Sequence, residues 1–278
     1  MLVNLDYVLK DAVEKNYGVG LFNTTDTDML EAVISAAEEL RAPVIIGTAE
    51  VLLPAGELKL IAPSIIAAAK RATVPVVVHY DHGLTFDRCM EALQLGFSSI
   101  MFDGSAGDYE KNIADTREIV KIAHSFGATV EGEIGHVGQA DACDNDAEDM
   151  YTKAEEAVAY AKETGVDALA VSIGTAHGAY KSKPKLDLER LGEIHKALPI
   201  PLVLHGGSGL TDDDFRNSIK HGISKVNIFT DLCLAGNRAM ERGLAEGKAY
   251  LDIRNMKVEE MKKEVIKKML VFGCDGRY

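Results

Sequence analysis

Eight times along the chain, a short apolar run rich in β-branched residues is followed by a longer segment with apolar residues at helical spacing. After an opening helix over residues 5–16, the strand-like runs fall at 18–23, 43–48, 75–81, 99–103, 128–133, 167–173, 200–205 and 225–229. The helical segments between them lie at 26–40, 57–71, 86–95, 109–125, 153–164, 186–197 and 212–220, and further helices close the chain. Strands separated by helices pair in parallel, because only a crossover of that length returns the chain to the same edge. Eight such units in roughly 250 residues predict a closed (β/α)8 TIM barrel. An open doubly wound sheet would carry a G-x-G-x-x-G turn after its first strand, whereas F-N-T-T-D follows here, at 22–26. With 278 residues, 47% of them hydrophobic, and no break in composition, one barrel domain over 1–278 is expected.

All strands of a parallel barrel end on one face, so polar residues far apart in sequence converge there. Those at the predicted strand ends are Asn23, Thr48, Asp81 with His82, Asp103, Glu133, His177, His205 and Asn227. Taken singly, Asp81 could cap the following helix and His82 could be a surface residue. Three histidines nevertheless sit in glycine-containing turns: His82 in D-H-G, His177 in H-G-A and His205 in H-G-G. Three imidazoles from separate strand ends can make a zinc site with a fourth position left open. His124, His195 and His221 fall on helices or just beyond one and read as packed or surface residues.

The turns after the seventh and eighth strands have another use. H-G-G-S-G at 205–209 and V-N-I-F-T at 226–230 stand where such barrels bind phosphate through backbone N–H groups, and Ser208 adds a hydroxyl. The segment 135–151, rich in glycine and acids, is long for a strand–helix connection and reads as a lid or binding loop. A net charge of -13 and a pI near 5.1 argue against nucleic acid as a partner. Cys89, Cys143, Cys233 and Cys274 are scattered, with no CxxC pair, which suits reduced thiols in the cytoplasm rather than a structural zinc. No apolar run approaches the roughly 20 residues of a membrane span, and no basic, apolar leader opens the chain.

Six ordered motifs carry a resemblance: Y-D-H-G at 80–83, M-F-D-G-S at 101–105, E-G-E-I-G at 131–135, G-T-A-H-G-A-Y at 174–180, L-V-L-H-G-G-S-G at 202–209 and K-V-N-I-F-T at 225–230. Together they resemble the class II, metal-dependent ketose-bisphosphate aldolases, whose familiar members act on fructose and tagatose 1,6-bisphosphate. The resemblance implies a catalytic zinc on His82, His177 and His205, with Asp103 and Glu133 at a second metal or monovalent-cation position. It implies Asp81 as the acid at the aldehyde oxygen. Asn23, Gly178, Gly206, Gly207, Ser208, Asn227, Ile228, Phe229 and Thr230 would bind substrate, chiefly its dihydroxyacetone phosphate half. A homodimer or larger homo-oligomer is implied as well.

Three departures bear on substrate. Where the family carries G-G-x-E, with its glutamate as base at C1, this chain reads G-Q-A-D, placing Asp141 there, one methylene shorter. Phe229 stands where fructose-bisphosphate enzymes tend to have Asp, and Arg254 and Lys257 are the cations nearest the expected far-phosphate region. These departures point away from fructose 1,6-bisphosphate itself, toward an aldehyde half that is smaller, unphosphorylated or acidic; the expected reaction is reversible cleavage of a ketose 1-phosphate or 1,6-bisphosphate to dihydroxyacetone phosphate and an aldehyde. The alternatives are a metal-dependent sugar-phosphate epimerase or isomerase, and a barrel that binds sugar phosphate without turnover.

Overall fold

The computed structural model describes residues 1–135, 137, 151–178 and 184–278. Its elements run β1 (Leu2–Val3), α1 (Leu5–Lys15), β2 (Val19–Asn23), α2 (Thr27–Leu40), β3 (Val44–Ala49), a 3-10 turn (Glu50–Leu52), α3 (Leu58–Arg71), β4 (Val76–Gly83), α4 (Phe86–Leu95) and β5 (Ser99–Phe102). They continue with α5 (Tyr109–Ser125), β6 (Thr129–Ile134), α6 (Ala154–Thr164), β7 (Ala168–Val171), α7 (Leu188–Ala197), β8 (Leu202–Leu204), α8 (Asp212–Lys220), β9 (Ile223–Ile228), α9 (Thr230–Ala245) and α10 (Tyr250–Phe272). Each of β2 to β9 pairs in parallel with its neighbours, and the β2–β9 pairing closes the ring into the expected eight-stranded barrel.

The unexpected element is β1. β4 starts at Val76 but meets β5 only from His79, which leaves a free edge that Leu2 and Val3 fill by pairing with Val76 and Val77. The terminal ammonium anchors this strand by donating to the carbonyls of Ala69 (2.8 Å) and Val74 (3.0 Å).

Helix starts are set by side-chain caps that satisfy otherwise orphaned N–H groups, each contributing about 1 kcal/mol. Asp26 caps α2 through the N–H groups of Asp28 and Met29, and Thr211 with Asp214 forms a capping box on α8. The strands are buried almost throughout, which explains their near-continuous β-branched sequences. Along a strand alternate residues share a face. The fully buried His79, Ser99, Glu131 and Lys225 contact one another inside the barrel, and Asp81, Glu133 and Asn227 lie two residues further along their strands.

α10 closes the far side. Val258 and Met261 pack with Met29, Ala32 and Ala235 of α2 and α9, and Phe229 leans on the same cluster. Among the described residues no helix is long and apolar enough to cross a membrane.

Candidate active site

The site rests on a buried polar floor. Lys225 Nζ lies 2.7 Å from Glu131 Oε2, and His205 Nε2 lies 2.8 Å from Glu131 Oε1, all three residues fully buried. Burial would push the Glu131 carboxyl up, but the Lys225 ammonium and the His205 hydrogen bond hold it below the usual carboxylate range. His79 bonds Ser99 Oγ at 2.7 Å and lies 3.8 Å from both Asp81 and Glu131. Burial first, and then the Lys225 charge, keep its imidazole neutral, down to about 3.

Above this floor stand the three histidines. In a regular strand Asp81 and His82 would face opposite sides of the sheet. His82 instead has φ 44, in the left-handed region, and the β4–β5 register shifts between Tyr80 and Gly83. This break in alternation brings both side chains into the same cavity. A non-glycine residue held there costs about 1–2 kcal/mol, strain that gathers at functional sites.

His82 Nδ1 lies 2.8 Å from Asp103 Oδ2, and its Nε2 lies 2.8 Å from His205 Nδ1. Burial disfavours a charged His82, yet the Asp81 and Asp103 carboxylates outweigh it and raise the imidazole to about 9. Free of any ion, a charged His82 would donate from both nitrogens, to Asp103 and to His205, and it must give up the Nε2 proton to serve as a ligand. His205, with Nε2–H committed to Glu131, presents Nδ1 as a lone pair, a tautomer assigned from its partners. His177 stands against both, its ring centroid 4.8 Å from that of His82 and 5.9 Å from that of His205. Its Nε2 is buried with no hydrogen-bond partner, and burial with the neighbouring imidazoles lowers its pKa to about 3.

The ligand-capable atoms of His82, His177 and His205 lie within 4.8 Å of one another, as do those of His82, Asp103 and Glu133. This donor set fits a cation: three imidazole nitrogens converge, one is orphaned and another is oriented from behind by a carboxylate. In the second group, Ser105 Oγ donates to Asp103 (2.7 Å) and lies 3.2 Å from Glu133, while burial and the Asp103 charge raise Glu133 to about 8.

Asp81 lies between two amides. Asn23 Nδ2 donates to Oδ2 at 2.8 Å and Asn227 Nδ2 to Oδ1 at 3.0 Å. Burial opposes its charge, but the His82 and Lys225 cations prevail and keep it far below the usual carboxylate range.

These groups face a cavity of about 400 Å³. One end is glycine-built: Gly206 has φ 64, and a Cβ there would sit 2.4 Å from the Ala176 carbonyl oxygen. Ser208 Oγ accepts from the N–H groups of Phe229 (3.2 Å) and Asp231 (3.4 Å), tying this turn to the N-terminus of α9. A glycine turn beside a helix N-terminus favours an anion.

Asn23, Asp81, His82, Asp103, His177, Gly178, Gly206, Gly207, Ser208, Asn227, Ile228, Phe229 and Thr230 all line this one cavity. His205 and Glu133 support it from below, and Thr48 is buried without lining it. Asp141 lies outside the described residues. Arg254 and Lys257 turn away from it. Arg254 pairs with Asp28 (2.8 Å) and Glu31, and Lys257 with Asp28 (2.5 Å) and Asp26 (3.6 Å). Sequence reasoning missed the roles of His79, Glu131 and Lys225, though each stands two residues before a predicted site residue, on the same face of its strand. It also missed the wall made by Ala49, Val51, Leu52 and Leu84.

Comparison with known proteins places this geometry among relatives. The family model described as fructose-bisphosphate aldolase class-II matches residues 3–277. A fructose-bisphosphate aldolase of Thermus caldophilus is 37% identical over 305 residues, covering 100% of both chains. A sulfofructosephosphate aldolase of Alkalicoccus urumqiensis is 36% identical over 97% of this chain and 96% of its own. The crystal structure of the YdjI aldolase from Escherichia coli K12 superposes with a TM-score of 0.89 at 34% identity, covering 100% of this chain and 99% of that one.

Proposed function

Because the chain belongs to the class-II fructose-bisphosphate aldolase family, and is thus a carbon–carbon lyase, we propose that it reversibly cleaves a ketose 1-phosphate or 1,6-bisphosphate to dihydroxyacetone phosphate and an aldehyde. The observation that carries the reading is the convergence of three imidazoles, the Asp81 carboxylate and a glycine-built anion cradle on one cavity.

His82, His177 and His205 would hold zinc, which their nitrogen donors favour, and Asp103 with Glu133 would hold a second cation beside His82. When bound, the catalytic ion would supply Lewis-acid stabilisation of the charge that develops as the ketone enolises. The rest falls to the chain's own groups. The backbone around Gly206 and Gly207, with Ser208 and Thr230, receives the phosphate of the ketone half. Asn23 and Asn227, donating to both Asp81 oxygens, hold it as a carboxylate, the state needed to take the proton of the C4 hydroxyl during cleavage. In condensation that proton returns to the aldehyde oxygen. Asp141, outside the described residues, is the candidate base at C1 of dihydroxyacetone phosphate.

Solvent exchange tests the first chemical step. Protein incubated with dihydroxyacetone phosphate in D2O should erase the C1 proton signal by NMR, and a chelator should stop it. Asp141→Ala should keep its metal and lose exchange; exchange retained in that variant removes Asp141 from the role. A metal-replete protein that gives no exchange refutes the aldolase reading at its first step.

A further inference from the structure

The cavity has two unlike ends. The end just described is built for one phosphate. The opposite wall is aliphatic: Ala49 at the end of β3, Val51 and Leu52 in the 3-10 turn after it, and Leu84 just past β4. Val51 and Leu84 are left 66% and 49% exposed beside a polar centre, an arrangement that marks a binding surface when the bare groups adjoin one another.

This wall is held in place. Glu50 accepts from the Leu84 backbone N–H at 2.8 Å and from the Tyr80 hydroxyl at 3.2 Å, tying the 3-10 turn to the end of β4. The same carboxylate puts negative charge directly behind Leu84, and Asp81 and Asp103 already line the cavity. No lysine or arginine is among the described lining residues. The two cations best placed in sequence, Arg254 and Lys257, are spent on Asp26, Asp28 and Glu31. Among the described residues, an anion at this end would meet aliphatic side chains with the Glu50 carboxylate behind them. Charge taken from water without a partner is strongly disfavoured, whereas methyl and methylene groups are favoured there.

We propose that the aldehyde half of the substrate carries no phosphate and lays an uncharged, apolar carbon chain against Ala49, Val51, Leu52 and Leu84, so that the substrate is a ketose 1-phosphate with a deoxygenated tail. This rests on the aldolase reading. Atoms balance as in any aldol addition: the new bond joins C1 of dihydroxyacetone phosphate to the aldehyde carbon, the C1 proton leaves and a proton reaches the aldehyde oxygen.

The test measures condensation of dihydroxyacetone phosphate with glyceraldehyde 3-phosphate, glyceraldehyde and 2-hydroxybutanal on the metal-replete protein, with solvent exchange of the ketone run in parallel. We expect kcat/KM for 2-hydroxybutanal to exceed that for glyceraldehyde 3-phosphate at least tenfold, within the roughly 10–200-fold range that one or two apolar groups command. Leu84→Arg should move the ratio of the two toward the phosphorylated aldehyde by about tenfold or more. Exchange together with preference for glyceraldehyde 3-phosphate overturns the inference and leaves the aldolase reading intact. Equal ratios in the wild type and Leu84→Arg also overturn it. No exchange defeats both.

Discussion

Replacing Lys225 by methionine isolates the buried floor of the site. The two side chains have similar length and volume, so little cavity is created and the change is chiefly electrostatic. Lys225 and Glu131 are both fully buried and 2.7 Å apart, and that carboxylate otherwise meets His205 at 2.8 Å and His79 at 3.8 Å. Breaking a buried pair by removing one partner typically costs about 3–5 kcal/mol, because the remaining charge is stranded away from water. Lys225→Met should therefore lose about that much in urea denaturation followed by circular dichroism, with chelator present to exclude any contribution from metal. The double variant Glu131→Gln with Lys225→Met should recover most of the loss, since neither charge is then left alone. A single variant that loses less than about 1 kcal/mol, or a double variant no better than the single, would refute the claim that this pair is a coupled, desolvated unit.

Adding zinc at about 100 times its dissociation constant should stabilise the fold by roughly 2.7 kcal/mol through linkage, raising Tm by several degrees, and a chelator should reverse it. His177→Ala should abolish that zinc-dependent rise in a thermal melt. Asp81→Asn should retain bound zinc by elemental analysis and slow cleavage roughly 10²–10⁴-fold, the usual contribution of a placed acid–base group. Asp28, where burial opposes ionisation but Lys257 and Arg254 outweigh it, has a depressed pKa. Its contribution is fully present above the unfolded value of about 3.9 and is lost as pH falls through the folded value. Asp28→Asn should accordingly flatten the acid limb of the stability–pH curve, by about 1 kcal/mol at this partly exposed pair.

The barrel was legible because its cause is periodic. Buried parallel strands must be apolar on both faces and helices must recross them, and that alternation survives any uncertainty at element ends. Most of the candidate site followed from one further rule, that parallel strands end together. Parity would have extended it: His79 precedes Asp81, Glu131 precedes Glu133 and Lys225 precedes Asn227 by two residues, so each pair shares a strand face. His82 is the instructive case. Regular alternation would send it away from Asp81, and only its left-handed backbone brings it back, a conformation that nothing in D-H-G specifies for the histidine itself. β1 was illegible because two residues carry no period, and it exists only where the stagger of β4 and β5 leaves an edge. The wall of Val51 and Leu84 depends on contacts between separate loops, made through Glu50, which no local pattern records.

His82, His177 and Asp81, which line the cavity, and His205 beneath it would together make and break a carbon–carbon bond there. This is tested most directly with 13C-labelled dihydroxyacetone phosphate and an unphosphorylated 2-hydroxyaldehyde, followed by NMR with and without chelator. New ketose 1-phosphate signals showing a bond between the labelled C1 and the aldehyde carbon are expected, absent when metal is removed. Chelator-sensitive proton exchange with no such bond to any aldehyde, phosphorylated or not, would contradict it and point to an enolising epimerase.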